Sequence, residues 1–138
     1  MNRALRSRAV QMVSAFEQRL DEDKGALVSS MSSIQDSRHD DAGRENVRYI
    51  AHRINGGAGL FDCNDLTEPA REVEKLVDDG ADTHLVVNAV QELIDRIERQ
   101  LASGVSQPEW ITSRLKRQPE PKAGQPASSA GRTGSDIP

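Results

Sequence analysis

The chain has 138 residues, with 18 Lys or Arg against 22 Asp or Glu and a formal net charge of −4. That balance excludes a nucleic-acid module that depends on a basic face. The single cysteine, Cys63, excludes an intrachain disulfide and a cysteine-based zinc site.

With one Trp, one Tyr and two Phe, the core must come from Leu, Ile, Val, Met and Ala. Ala, Leu, Glu, Arg and Gln make up 42 of the first hundred residues, a composition that favours helix over sheet. The predicted fold class is all-α. In chain order, Leu5, Met12, Val13, Phe16, Leu20, Leu27, Met31 and Ile34 recur at helical steps. They read as one long helix or as two, with Asp21–Gly25 the natural break. A polar loop, Ser37–Gly43, follows. The second helical pattern holds Val47, Ile50, Ala51, Ile54, Ala58 and Phe61.

The third opens at Asn64 or Asp65, either able to cap a helix start. It runs through Leu66, Ala70, Val73, Leu76 and Val77 to Gly80, which suits a C-cap. Pro69 falls in its first turn, where a missing amide hydrogen costs little. The fourth, capped by Asp82 or Thr83, carries Leu85, Val86, Ala89, Val90, Leu93, Ile97 and Leu101. Short connections between the last three predict antiparallel neighbours. The expected architecture is an antiparallel up-down four-helix bundle over residues 1–103 with an additional N-terminal helical segment.

Residues 104–138 are rich in Pro, Gly and Ser, are predicted to form a flexible tail, and hold five basic and three acidic side chains. The first 103 residues are left at a net −6. Within the tail, Pro108–Gln118 reads as a short basic turn with Trp110, Ile111 and Leu115 on one side. It serves either as an end that folds back on the bundle or as a docking peptide. The start of the chain lacks the apolar run of a signal peptide, and no window approaches the roughly 18 apolar residues of a membrane span. A soluble, cytoplasmic protein is expected, with neither nucleic acid nor membrane as a partner.

On a wheel at about 100° per residue, the apolar residues of the second helix share an arc of roughly that width. His52 falls about 150° from the centre of that arc and faces water. Gly56 and Gly59 lie on its side, and Arg48 sits one turn earlier. Glycine inside a helix costs about 1 kcal/mol relative to alanine, so a helix chosen for stability alone would not hold three. Gly56 and Gly59 flatten the surface beside an exposed imidazole, so another protein can approach closely. Gly57 lies nearer the core, where its role is packing. His39 and His84 read as ordinary surface residues, and three scattered histidines make no metal site.

The stretch Ala51-His52-Arg53-Ile54-Asn55-Gly56-Gly57-Ala58-Gly59-Leu60-Phe61 resembles the signature of the histidine-containing phosphotransfer (HPt) domain family. That pattern has Ala-His, an apolar residue two places on, usually Lys three on, Gly four on, then small residues. The Gly-Gly-Ala run is similar to the phosphotransfer domains of chemotaxis-type kinases, and the likeness extends to those of multistep phosphorelays. Leu66, Ala70, Val73 and Glu74 fall where the family carries its Leu, Ala and Leu-Glu positions. Two residues depart from the pattern. Asn55 replaces the usual Lys and lowers the local positive charge, for which Arg48 or Arg53 could compensate. Asp62 replaces a usual Gly at the turn ending the helix.

The resemblance implies that His52 accepts a phosphoryl group from a receiver-domain phospho-aspartate and passes it to another receiver, through Nε2. The implied partners are response-regulator receiver domains and a hybrid histidine kinase. Their contact surface would be His52, Gly56 and Gly59, ringed by Arg48, Tyr49, Arg53 and Asn55. Mg2+ would belong to the receiver, leaving this chain, expected to be a monomer, with no cofactor or metal of its own. Its GGAG run lacks the Lys-Ser/Thr of a P-loop, so a phosphotransfer intermediate is expected rather than an autonomous kinase. A non-catalytic protein of the same fold that inhibits a receiver or kinase is the alternative, favoured by Asn55. The dimerisation helix of a histidine kinase is disfavoured, because Arg53 rather than an acidic residue follows His52.

Overall fold

The computed structural model describes residues 2–36, 41–108 and 110. His39 and the tail from Ile111 onward, for which the sequence gives expectations, lie outside the described residues. Those described form four helices and no strand: α1 (Asn2–Asp36), α2 (Asp41–Leu60), α3 (Asn64–Asp78) and α4 (Thr83–Ser103). Helix α1 packs on α2 and α4, and α3 packs on the same two. The four enclose one core, in which Leu20, Leu27, Ile54, Leu66, Leu93 and Ile97 are fully buried.

Helix α1 is a single helix of 35 residues, without a break at Asp21–Gly25. Leu20 and Leu27, two turns apart, are both buried, so burial on either side holds the intervening turn helical. Between them Asp23 is also buried, and it accepts a hydrogen bond from Arg53 of α2. Gly25 faces open space, where a helix tolerates glycine at modest cost. The seam between α1 and α2 is tied at three levels: Phe16 against Gly57, Asp23 with Arg53, and the Ser30 hydroxyl accepting from Asn46 Nδ2 at 2.7 Å.

Helix α2 starts at Asp41, inside the stretch read as loop. Asp41 places a negative charge at the helix's positive end. Arg44 anchors the same end, donating to the Ala81 carbonyl at 2.8 Å and the Thr83 hydroxyl at 3.2 Å. At the far end the backbone folds sharply. Cys63 N–H bonds the Ala58 carbonyl at 2.9 Å while Asp62 adopts a left-handed φ of 58°. This is the six-to-one closure of a Schellman turn, with an aspartate where glycine is usual.

That closure also moves the start of α3. Cys63, not Asn64 or Asp65, occupies the capping position, with no side-chain cap bond, and Asp65 lies in the first turn. Helix α3 ends as the sequence suggests. Gly80 has φ of 66°, and Ala81 N–H and Gly80 N–H bond the Leu76 and Val77 carbonyls. Asp82 precedes α4 as its cap residue, without a side-chain cap bond, and Gly104 follows the helix with φ of 83°. Beyond Gly104 the backbone turns back over α1. Val105 is buried and donates its N–H to Glu17 Oε2 at 2.8 Å, and the Trp110 indole N–H reaches the Leu60 carbonyl at 2.8 Å. Trp110 thus follows the fold-back reading.

The left-handed turn generates a stability order at one position. Asp62→Gly is expected to keep or raise the melting temperature. Asp62→Ala is expected to lower stability by about 1 kcal/mol, and Asp62→Val by more. Thermal unfolding of the three variants checks the order.

Candidate functional site

The side chains that matter project from the outer face of α2 and the adjoining edge of α3. Val47, Ile50, Ala51, Ile54 and Ala58 turn inward, and this leaves His52 on the opposite side with 71% of its side chain exposed. Its Nδ1 lies 2.9 Å from Oε1 of Glu74 on α3, a carboxylate only 17% exposed. An ionised carboxylate only accepts, so Nδ1 carries the shared proton and the lone pair is left on Nε2. The bond therefore fixes one tautomer of a solvent-facing nucleophile and orients its ring.

One turn earlier on α2, Arg48 Nε donates to Asp78 Oδ1 of α3 at 2.6 Å. The hydrogen bond and charge of Asp78 hold the Arg48 guanidinium above its ordinary pKa. Arg53 is drawn the other way, toward α1. Its burial disfavours the charge, but the bond to Asp23 outweighs this and leaves its pKa raised. Asp23 in turn has its carboxyl pushed up by burial, against the pull of Arg53. The Arg53 guanidinium also lies over the exposed Tyr49 ring, 5.3 Å from its centroid. Both arginines named as compensating cations are thus already held by carboxylates.

Gly56, Gly57 and Gly59 of α2 divide cleanly. A Cβ at Gly56 or Gly59 would meet nothing within 4 Å. A Cβ at Gly57 would lie 2.7 Å from Phe16 Cε1. That ring is itself stacked on Phe61, with centroids 4.4 Å apart. Gly57 is needed for packing, whereas Gly56 and Gly59 answer no steric demand among the described residues. Asn55 is half-buried on the α3 side of His52. Beside Tyr49, a groove between α1 and α2 is lined by Ser29, Ser30, Ser33 and Asn46.

Sequence reasoning placed His52, Arg48, Gly56 and Gly59 on one face, and the structure has them there. It placed Glu74 at the Glu of the family's Leu-Glu positions but missed its bond to His52, and it missed the tie of Arg53 to Asp23. The second was readable, since Asp23 sits at a core step between Leu20 and Leu27. The first was not, since 22 residues separate Glu74 from its partner. His84 is exposed at the start of α4. Cys63 is buried, with its thiol pushed up to about 11 chiefly by that burial, so it supplies no nucleophile.

The family model described as Hpt domain matches residues 11–107. Comparisons with curated proteins and with solved structures give no match.

Two predictions follow from this geometry. Gly56→Ala and Gly59→Ala are each expected to raise stability by about 0.5–1 kcal/mol, while Gly57→Ala lowers it by about 1–3 kcal/mol through the Phe16 clash. Denaturant midpoints decide between the three. Arg53→Met strands a buried carboxylate and is expected to cost about 3 kcal/mol at neutral pH. Asp23→Asn costs less, because Arg53 can turn its head to water. A raised carboxyl pKa in the folded state means that folding favours the protonated form, and this contribution is lost as pH rises through that value. Without the pull of Arg53 the Asp23 carboxyl is raised further, so the Arg53→Met deficit should shrink as pH falls from neutral into the acid range, as measured by urea unfolding against wild type.

Proposed function

The chain belongs to the Hpt domain family, and from that premise we propose that it is a histidine phosphotransfer protein of a two-component phosphorelay with His52 as its acceptor. The observation that carries this reading is the exposed imidazole held through Nδ1 by Glu74, beside two glycines with open space above them. On this reading a receiver domain brings its phospho-aspartate to the face of His52, Gly56 and Gly59. Arg48, Tyr49 and Asn55 form the rim, with Arg53 behind Tyr49. The bundle is taken as antiparallel up-down. Pairings in which one residue number rises as the other falls support that course, as with Arg48–Asp78 and His52–Glu74.

Phosphoryl transfer asks for positioning and charge neutralisation, and each has a group here. The neutral Nε2 attacks phosphorus in line with the bond to the aspartyl oxygen. The N–P bond forms, the P–O bond breaks, and the aspartate leaves as a carboxylate with the bonding pair. No proton needs to leave the ring first. The ring gains positive charge as the phosphoryl group joins, and the Glu74 carboxylate at Nδ1 stabilises that charge. The reverse sequence delivers the group to a second receiver. Mg2+ and the acceptor aspartate belong to the receiver, so the chain acts as an intermediate, as a cytoplasmic monomer.

Incubation with phosphorylated receiver domains tests the reading. Acid-labile phosphate is expected on the wild type and absent from His52→Gln. Glu74→Gln keeps a hydrogen-bond acceptor but loses its charge, and is expected to slow transfer on the order of tenfold. Stable receiver binding with no phosphate on the wild type would instead make the protein a non-catalytic binder.

A further inference from the structure

A phosphoryl group on His52 would bring about −1.5 to −2 charges to a surface whose nearby cations are mostly engaged. Helices α2 and α3 carry five. Arg44 is held by the Ala81 carbonyl and the Thr83 hydroxyl. Arg48 is held by Asp78, Arg53 by Asp23, and Lys75 lies 3.7 Å from Asp79. Arg71 is exposed and makes no hydrogen bond or ion pair among the described residues.

The register between the two helices sets Arg71 close to the level of the site. Arg48 meets Asp78 and His52 meets Glu74, so four residues forward on α2 match four back on α3. Continued by three residues, that register brings Asn55 level with Arg71. Arg71 is also one turn from Glu74 on its own helix, on a neighbouring part of the same surface.

We propose that Arg71 is the phosphoryl-binding cation of this protein, lying across from the uncharged Asn55 and reaching the group on His52 from α3. This rests on the acceptor reading above. Guanidinium suits the task, since its planar donors match two phosphoryl oxygens at once and it stays charged at all working pH values. Being unpaired, it has no carboxylate to give up when the phosphoryl group arrives.

Phosphoramidate, a small phosphoryl donor, tests this on the full chain without any receiver. Nε2 takes the phosphoryl group, the P–N bond breaks, and ammonia leaves. The rate of phosphohistidine formation is read by phosphorus NMR for wild type, Arg71→Gln, Asn55→Lys and the double variant, with circular dichroism confirming the fold of each. Arg71→Gln is expected to slow the reaction about three- to fivefold, and high salt narrows the gap. Adding Asn55→Lys to Arg71→Gln restores the rate, because a cation from α2 then does the work of the one lost from α3. An unchanged rate in Arg71→Gln overturns the proposal. So does a loss that Asn55→Lys leaves in place, which would make Arg71 structural. No phosphohistidine on the wild type overturns the acceptor reading and this inference together.

Discussion

A carboxylate in the seam between two helices accepts very few arrangements of its neighbours, and Asp23 imposes that constraint on α1 and α2. Taking it out of water is tolerable only with a cation and hydrogen bonds in place, so Arg53 must arrive at one level of α1 and no other. Apolar contacts alone would allow the helices to slide by a turn with a modest change in buried area. The ion pair makes such a slip expensive. It also tethers α2 on the side away from α3, which leaves the opposite edge of α2 to meet Glu74 and Asp78. The orientation of His52 thus depends on an ion pair across the helix from it.

Much of the fold was legible because each helix buries one stripe at three- and four-residue steps, and the caps and breaks are local chemistry. The Gly80 turn follows from glycine's ease at positive φ. The continuity of α1 stayed open between one helix and two, because the run Asp21–Gly25 is polar and ends in glycine, as a loop would be. The early starts of α2 and α3 were hidden for a different reason. Arg44 and the Cys63 closure act through groups far away in sequence or through backbone bonds, which leave no mark on side-chain periodicity.

The site divides along the same line. The exposure of His52 and the bare surface at Gly56 and Gly59 follow from the wheel, since they concern one helix. Its partners come from other helices. Glu74 and Asp78 are ordinary charged residues in the sequence and take their meaning only from register, whereas the core step of Asp23 between Leu20 and Leu27 marks it out in the sequence. The substitution of Asn for the usual Lys at position 55 looked like a lost charge to be made good by Arg48 or Arg53. Their carboxylate partners show that proximity in sequence is a poor guide to which charge is available. Among the cations of α2 and α3, the one without a partner among the described residues is Arg71, on the other helix.

The contacts after α4 bear on how this domain can be handled. Trp110 sits on the Leu60 carbonyl at the end of α2, and Val105 is fastened to Glu17. The first turns of α1 lie beyond the Phe16–Gly57 contact, toward that same end. Both termini of the described chain therefore leave from one pole of the bundle. Leu60 is about 12 Å along α2 from His52 at 1.5 Å per residue. A fluorophore, surface anchor or fused domain attached at either terminus would pivot about that pole, and its shadow would fall first on Gly59 and Gly56. Linker length at that pole, more than the choice of terminus, would then govern access to the imidazole.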